Sequence, residues 1–414
     1  MAGLQPVRGT RDILPDERQR HRFIEEMARE AAQRYGYSEI ATPIFEFSDV
    51  FKRTLGDTSD IVTKEMYTFT DKGGDEVTLR PEGTAGVARM LISGGLAQNL
   101  PLKYFYRGPM FRYERPQKGR FRQFHQTGVE LLGVAEPLGD IEVIALGAAI
   151  LDGLGILSKA TLELNTLGNT ESRSTYREKL IAYFNDYRTD LSEDSQDRLE
   201  RNPLRILDSK DRRDRDIVTG APEFSDSLDT ESAEFFAAVT EGLDALSIDY
   251  CLNSRLVRGL DYYCHTAFEF TTEELGAQGT ILAGGRYDGL VEQMGGTKTA
   301  GVGWAAGIER LAMLAESVPE EKRPIAIIPV GPELQTRGLA IAHDLRSRGF
   351  VIELGYRGNM SRRLKRANKL NAKASIILGP DELERGAATV RNLDTGDQEE
   401  VPLETLADHL KQYN

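Results

Sequence analysis

The sequence predicts a mixed α/β protein: an α+β domain built on an antiparallel sheet, followed by a smaller α/β domain. Three features carry this. Two apolar segments, Leu102 to Glu114 and Gln123 to Gly133, flank the polar loop RPQKGR and read as a long hairpin. A charged, weakly apolar stretch from about 169 to 250 interrupts the strand-rich sequence and reads as a helical insertion. After Arg323, strand and helix alternate, which suggests a largely parallel sheet. A length of 414 residues fits two or three domains.

In chain order, Asp16 to Tyr35 has helical spacing of apolar residues, with charges on the other face and Gly36 as its stop. Tyr37 to Phe45 (YSEIATPIF) reads as one strand interrupted by Pro43. VTLRPEGT, from Val77, is a strand entering a turn, where Thr84 could cap the helical run AGVARMLI. TAFEFTT and GTILAGGRYDGLV restore strand character after the insertion. A helix ends near Glu316, and the proline-flanked linker SVPEEKRP follows. Beyond it come PIAIIPVG, a helix, FVIELGY, the basic helix SRRLKRANKLNAK and ASIILG.

Composition narrows the function classes. A formal net charge of -13 argues against a protein that coats nucleic acid nonspecifically, although local basic patches can still bind phosphate. The chain lacks an apolar run of about 18 residues, so no membrane span is expected. The N-terminus lacks an apolar signal core. Two cysteines, Cys251 and Cys264, cannot form a disulfide framework, and a reducing cytoplasm is expected. The histidines are scattered, so no metal site is expected.

Against this acidic background, Arg107 to Arg122 carries six basic residues and one acid. On the first strand, Arg112 and Glu114 should share a face. Phe124 and Gln126 should do so on the return strand. Two readings fit. The arginine could fork onto a phosphate, the ring stack on a base, and the glutamate accept from an exocyclic amine. The same residues also fit a cross-strand ion pair over a core phenylalanine. LVRGLDYY places Gly259 beside Arg258, and LAGGRYDGL places two glycines before Arg286. Each is a close-approach signal or simply a turn. Arg310, in GIERL, fits either a ligand contact or a surface ion pair. RPEGT could hold an ammonium group. The sequence offers no nucleophile arrangement. Arginines, carboxylates and tyrosines suit charge stabilisation, as nucleotidyl transfer requires.

The order of these motifs resembles the class II aminoacyl-tRNA synthetases. Helix and proline-containing strand come first, then F-R-x-E, loop and R-x-x-x-F, then a glycine-rich strand and G-I-E-R-L. VRGLDYY and AGGRYDGL resemble the motifs of the histidyl-tRNA synthetase family, and the likeness runs from VRGTRDILP at Val7 to the last domain. The resemblance implies a catalytic domain over 1–320, with the insertion at about 169–250, and an anticodon-binding domain over 323–414. It implies a homodimer interface around Pro43. It also implies activation of L-histidine by ATP with Mg2+, then transfer to tRNA(His) in the cytoplasm.

The resemblance assigns residues too. Arg112 would hold the ATP α-phosphate, Glu114 the adenine amino group and Phe124 the ring. Arg120 and Arg310 would meet the other phosphates. Arg258 would be the catalytic arginine shared by α-phosphate and substrate carboxylate. Glu82, Thr84 and Gln126 would surround the ammonium and carboxylate of histidine. Glu130, Tyr263 and Tyr287 would grip the imidazole. Arg115, Gln117 and Lys118 would lie against the tRNA acceptor end, with Gln117 reading an extra 5′ guanosine. Arg362 and Arg366 would face the anticodon. A regulatory paralogue of this family senses histidine without aminoacylating, but generally lacks the last domain and has lost catalytic motif residues. The presence of that domain with Arg112, Arg258 and Arg310 weighs against that alternative. The basic loop and basic helix weigh against a tRNA-independent adenylate-forming ligase.

Overall fold

The computed structural model describes residues 3–55, 61–117, 119–207, 209, 211–256, 262–276 and 279–413. The chain divides into two compact units, Met1–Val318 and Pro319–Asn414.

In the first unit the strands are β1 (Ser38–Ile40), β2 (Phe45–Phe47), β3 (Tyr67–Thr70), β4 (Glu76–Leu79), β5 (Leu102–Phe111), β6 (Gln123–Leu132), β7 (Thr161–Thr166), β8 (Cys251–Leu252), β9 (Cys264–Thr271), β10 (Thr280–Arg286) and β11 (Gly301–Gly307). Eight of them form one sheet in the order β1-β5-β6-β11-β10-β9-β7-β8. Its interior pairs are antiparallel, and only the outermost pairs, β1 with β5 and β7 with β8, are parallel.

The strands alternate between two faces with period two. Val129 and Leu131 of β6, Phe268 and Phe270 of β9, and Val302, Trp304 and Ala306 of β11 join the larger hydrophobic core. Helices cover that face, among them Thr230–Ala245 with Val239 and Leu243 and Ile308–Leu314 with Ile308 and Leu311. Pro15–Arg34 starts with proline at its first turn and buries Ile24, Ala28, Ala31 and Ala32. Pro137–Gly153 receives the Trp304 indole N–H at the Val143 carbonyl, 2.9 Å away. The intervening residues Phe124, Gln126, Glu130 and Glu269 point the other way, toward the site.

The expected strand Tyr37 to Phe45 is two strands in two sheets. Arg80 explains the break: Nη1 donates to the Thr42 carbonyl (3.0 Å) and hydroxyl (3.1 Å), and Pro43 has no N–H for a ladder. β2 then pairs with β4 in a separate sheet, β2-β4-β3. This small sheet leaves Phe45, Phe47 and Phe69 exposed, at 58%, 60% and 49%.

The insertion is helical from Thr170 to Ala245, with a core of its own around Tyr176, Leu180, Phe184, Leu199 and Phe224. The charge run SKDRRDRD is not simply a solvated face. Asp214 is buried and accepts from the hydroxyls of Ser192, Ser195 and Ser209 and from the Ser192 N–H.

The second unit has β12 (Ile325–Pro329), β13 (Ile352–Leu354), β14 (Ala374–Leu378), β15 (Ala387–Asn392) and β16 (Gln398–Pro402), in the order β13-β12-β14-β15-β16. The first three are parallel. The last two add antiparallel, so the sheet is mixed where a largely parallel one is expected. Its basic helix, Met360–Lys369, exposes Arg362, whereas Arg363 is buried and donates to the Pro329 carbonyl at 2.6 Å.

Deep in the first unit, Arg286 and Asp140 form an ion pair with both side chains at 0% exposure. Arg286 also donates to the Val134 carbonyl and to Asp288. Removing one member of such a pair strands a buried charge. Asp140→Ala should therefore destabilise the first unit by about 3–5 kcal/mol, read as a lower urea midpoint by circular dichroism.

Candidate active site

The site is a cavity of about 410 Å³ on the open face of the large sheet. β6 brings Phe124 and Gln126 to it on one face, as alternation predicts. Arg112 and Glu114 also line it, for a different reason than expected. β5 ends at Phe111, and strand alternation does not extend to these two residues. The Arg112 N–H still reaches the Arg122 carbonyl (3.0 Å), but the Tyr113 N–H turns to Glu65 (2.7 Å) and the Glu114 N–H closes back on Arg112 (2.8 Å). The tight turn, not the pleat, sets their direction.

Three arginines meet here. Arg112 donates through Nε to the Pro81 carbonyl at 2.8 Å and sits 5.4 Å from the Phe124 ring. Arg120 donates to Glu114 at 3.0 Å. Arg310 donates to the Thr280 carbonyl. Burial, and then the nearby Arg120 cation, hold the Arg310 guanidinium below its usual basicity. Arginines gathered this closely favour an anion among them.

A second group is acidic and buried. Glu82 accepts from the Thr84 N–H (2.6 Å) and the Ala85 N–H (2.9 Å), so it caps the helix Thr84–Ser93. Thr84 does not cap. Its hydroxyl donates to Glu130 at 2.7 Å. Glu130 has no exposed surface and also accepts from Tyr106 (3.3 Å) and Tyr287. Burial pushes its carboxyl up to about 8. Burial raises Glu82 as well.

Gly303 makes this arrangement possible. A Cβ there would lie 1.9 Å from Glu130 Oε2 and 2.4 Å from the Val129 carbonyl. Gly83 is equally constrained, because a Cβ would meet the Tyr106 ring at 2.3 Å.

Glu82, Thr84, Arg112, Glu114, Arg120, Phe124, Gln126, Tyr263 and Arg310 all line the cavity. Glu130 and Tyr287 do not. They stand behind its wall, through Thr84 and the packed rings of Tyr262, Tyr263 and Tyr287. Gln126 presents a buried side-chain oxygen that lacks a hydrogen-bond partner among the described residues, an acceptor suited to an ammonium donor. Arg258 and Lys118 lie outside the described residues. Arg115 and Gln117 are exposed on the hairpin loop, which a backbone bridge between Gln117 and Arg120 closes. Arg366 is exposed and pairs with Glu353 at 2.9 Å.

Sequence reading missed Glu269 and Thr280, which line the same cavity and bond each other at 2.7 Å. The alternation F-E-F held that signal, since flanking phenylalanines in the core send Glu269 to the open face.

An antiparallel sheet flanked by helices, with arginines and buried carboxylates on one face, fits the fold of the class II aminoacyl-tRNA synthetases. The "Histidyl-tRNA synthetase" family model matches residues 9–172 and 189–311, and the "Anticodon binding domain" model matches 324–413. A histidine–tRNA ligase from Rhodospirillum rubrum is 60% identical over 414 residues, covering 100% of both chains. One from Gluconacetobacter diazotrophicus is 54% identical over 410 residues, covering 99% of each. The crystal structure of apo S. aureus histidyl-tRNA synthetase matches with a TM-score of 0.83 at 36% identity, over 99% of this chain and 100% of that one. The chain belongs to the histidyl-tRNA synthetase family.

Glu130 gives a pH test. Its folded value of about 8 lies above an ordinary carboxyl, so the folded state keeps a proton that the unfolded state releases. Stability from this group is complete below the unfolded value near 4.5 and is lost as pH rises toward 8. Between pH 5 and 8, Glu130→Gln should lose less stability than the unsubstituted protein. The difference should approach about 1.4 kcal/mol per pH unit at most, measured by thermal melts without substrates.

Proposed function

We propose that the chain activates L-histidine with ATP to histidyl-adenylate and pyrophosphate, then transfers the histidyl group to the 3′ end of tRNA(His). One observation carries this: a single cavity joins an arginine cluster to a buried carboxylate network, with Arg112 between them.

In the first step a histidine carboxylate oxygen attacks the α-phosphorus, and the bond to the pyrophosphate oxygen breaks. Both reactants are anionic, so cations must bring them together and stabilise the charge that gathers in the transition state. Arg112 would take the α-phosphate, Arg120 and Arg310 the leaving pyrophosphate, and Arg258 both reacting groups. Phe124 would stack on adenine and Glu114 accept from its amino group. Magnesium accompanying ATP would neutralise the β- and γ-phosphates, held mainly through phosphate oxygens and water, and Glu269 is a further carboxylate in the cavity lining.

Glu82, Thr84 and Gln126 would receive the ammonium and carboxylate of histidine. Tyr263 would meet the imidazole, with Glu130 and Tyr287 setting the hydrogen-bond pattern behind it. Buried partners of this kind discriminate strongly against side chains that leave them unpaired. In the second step a terminal ribose hydroxyl attacks the histidyl carbonyl and AMP leaves.

The domain assignment follows: a catalytic domain over 1–320 and an anticodon-binding domain over 323–414. Arg115, Gln117 and Lys118 would meet the tRNA acceptor end, and Arg362 and Arg366 the anticodon loop. Phosphate contacts position, while base contacts specify. Two free cysteines, Cys251 and Cys264, fit a cytoplasmic enzyme. Among the described residues no helix is long and apolar enough to cross a membrane.

The test is histidine-dependent exchange of labelled pyrophosphate into ATP, followed by charging of tRNA(His). Exchange should be robust, and either Arg112→Ala or Arg258→Ala should lower it at least about 100-fold with the fold intact by circular dichroism. Histidine binding without exchange would contradict adenylation.

A homodimer would cover Phe45, Phe47 and Phe69, which stand exposed on the small sheet whose first strand follows Pro43. Light scattering should give a dimer of twice 46.1 kDa for the chain and mainly monomer for Phe47→Glu.

A further inference from the structure

His21, His125 and Glu309 converge from three elements: the helix Pro15–Arg34, β6 and the helix Ile308–Leu314. One ligand atom from each lies within 4.8 Å of the others. His21 has no exposed surface, and neither ring nitrogen has a hydrogen-bond partner among the described residues. The nearest carboxylate in ion-pair range is Glu17, 3.8 Å from Nε2. A fully buried imidazole without partners on both nitrogens is costly unless something else satisfies it. Its ring meets His125 edge to face at 5.7 Å. Glu309 accepts from His125 Nδ1 at 2.8 Å and from the His125 N–H at 3.0 Å.

We propose that His21, His125 and Glu309 form a binding site for Zn2+, on the side of β6 opposite Phe124 and Gln126. Two imidazoles and a carboxylate match zinc's ligand preferences, and a water molecule would complete four-coordination. Imidazole ligands disfavour Mg2+ and Ca2+, which take oxygen ligands. Tetrahedral zinc holds its ligand atoms roughly 3.3 Å apart, so the present spacing needs only side-chain adjustment. Binding replaces the His125 Nδ1–Glu309 hydrogen bond, and that proton passes to solvent or to Nε2. The ion would tie the first helix to the strand that carries Phe124 and to the helix that carries Arg310. Spacing could not suggest this, because the three residues are far apart in sequence.

The test uses untagged full-length protein, stripped with chelator, reloaded with Zn2+ and desalted. Elemental analysis should find one zinc per chain in the unsubstituted protein and in His343→Ala, a control in the second unit. His21→Leu should bind at least about tenfold more weakly. Zinc should raise the melting temperature of the unsubstituted protein but not of His21→Leu. Equal zinc retention in His21→Leu, or no stoichiometric zinc in the unsubstituted protein, would overturn the site. X-ray absorption of the zinc-loaded unsubstituted protein decides the matter if His21→Leu fails to fold. Two imidazoles in the first shell support the proposal, and sulfur ligands or fewer imidazoles refute it.

Discussion

A carboxyl group with no exposed surface sets the terms for the first unit of this protein. Glu130 holds the hydroxyls of Thr84, Tyr106 and Tyr287, and through them joins a helix start, β5, β6 and the turn after β10. Such a group is tolerable only if its acceptor sites are filled. The requirement propagates outward. Thr84 must begin its helix there, so Glu82 caps that helix instead. β11 must carry glycine at 303, or the carboxylate has no room. The glycine pattern AGVG is thus a consequence of a buried acid on the neighbouring strand.

The arginine side of the cavity follows the opposite logic. Arg112, Arg120 and Arg310 share this part of the lining with Glu114 and Glu269, and the burial of Arg310 beside another cation favours an anion there. The proposed chemistry uses both halves together. A phosphate chain would satisfy the arginines, and a zwitterion with an imidazole would satisfy the carboxylates. Arg112, fixed by the Pro81 carbonyl and by Phe124, lies where the two must meet.

Much of this was legible in the sequence, because period-two alternation is a local property. Phe124 with Gln126 on the open face of β6 follows directly from the pattern. Arg112 and Glu114 reach the cavity as expected, yet a turn beyond the strand end puts them there. The expected single strand from Tyr37 to Phe45 broke because Arg80, distant in sequence, captures Thr42. The last two strands of the second unit carry polar, interrupted patterns that conceal their pairing. Glu130 looks like any strand glutamate until the three hydroxyls around it are known. Asp214 is hidden in the same way inside a charge run. The histidines are scattered along the sequence, and the fold assembles His21, His125 and Glu309.

The most direct measurement is a crystal structure with histidine and a non-hydrolysable ATP analogue bound together. The account predicts phosphates among Arg112, Arg120 and Arg310, adenine on Phe124, and the imidazole at Tyr263 toward Glu130. An imidazole among the arginines, or a purine against Glu130, would contradict it.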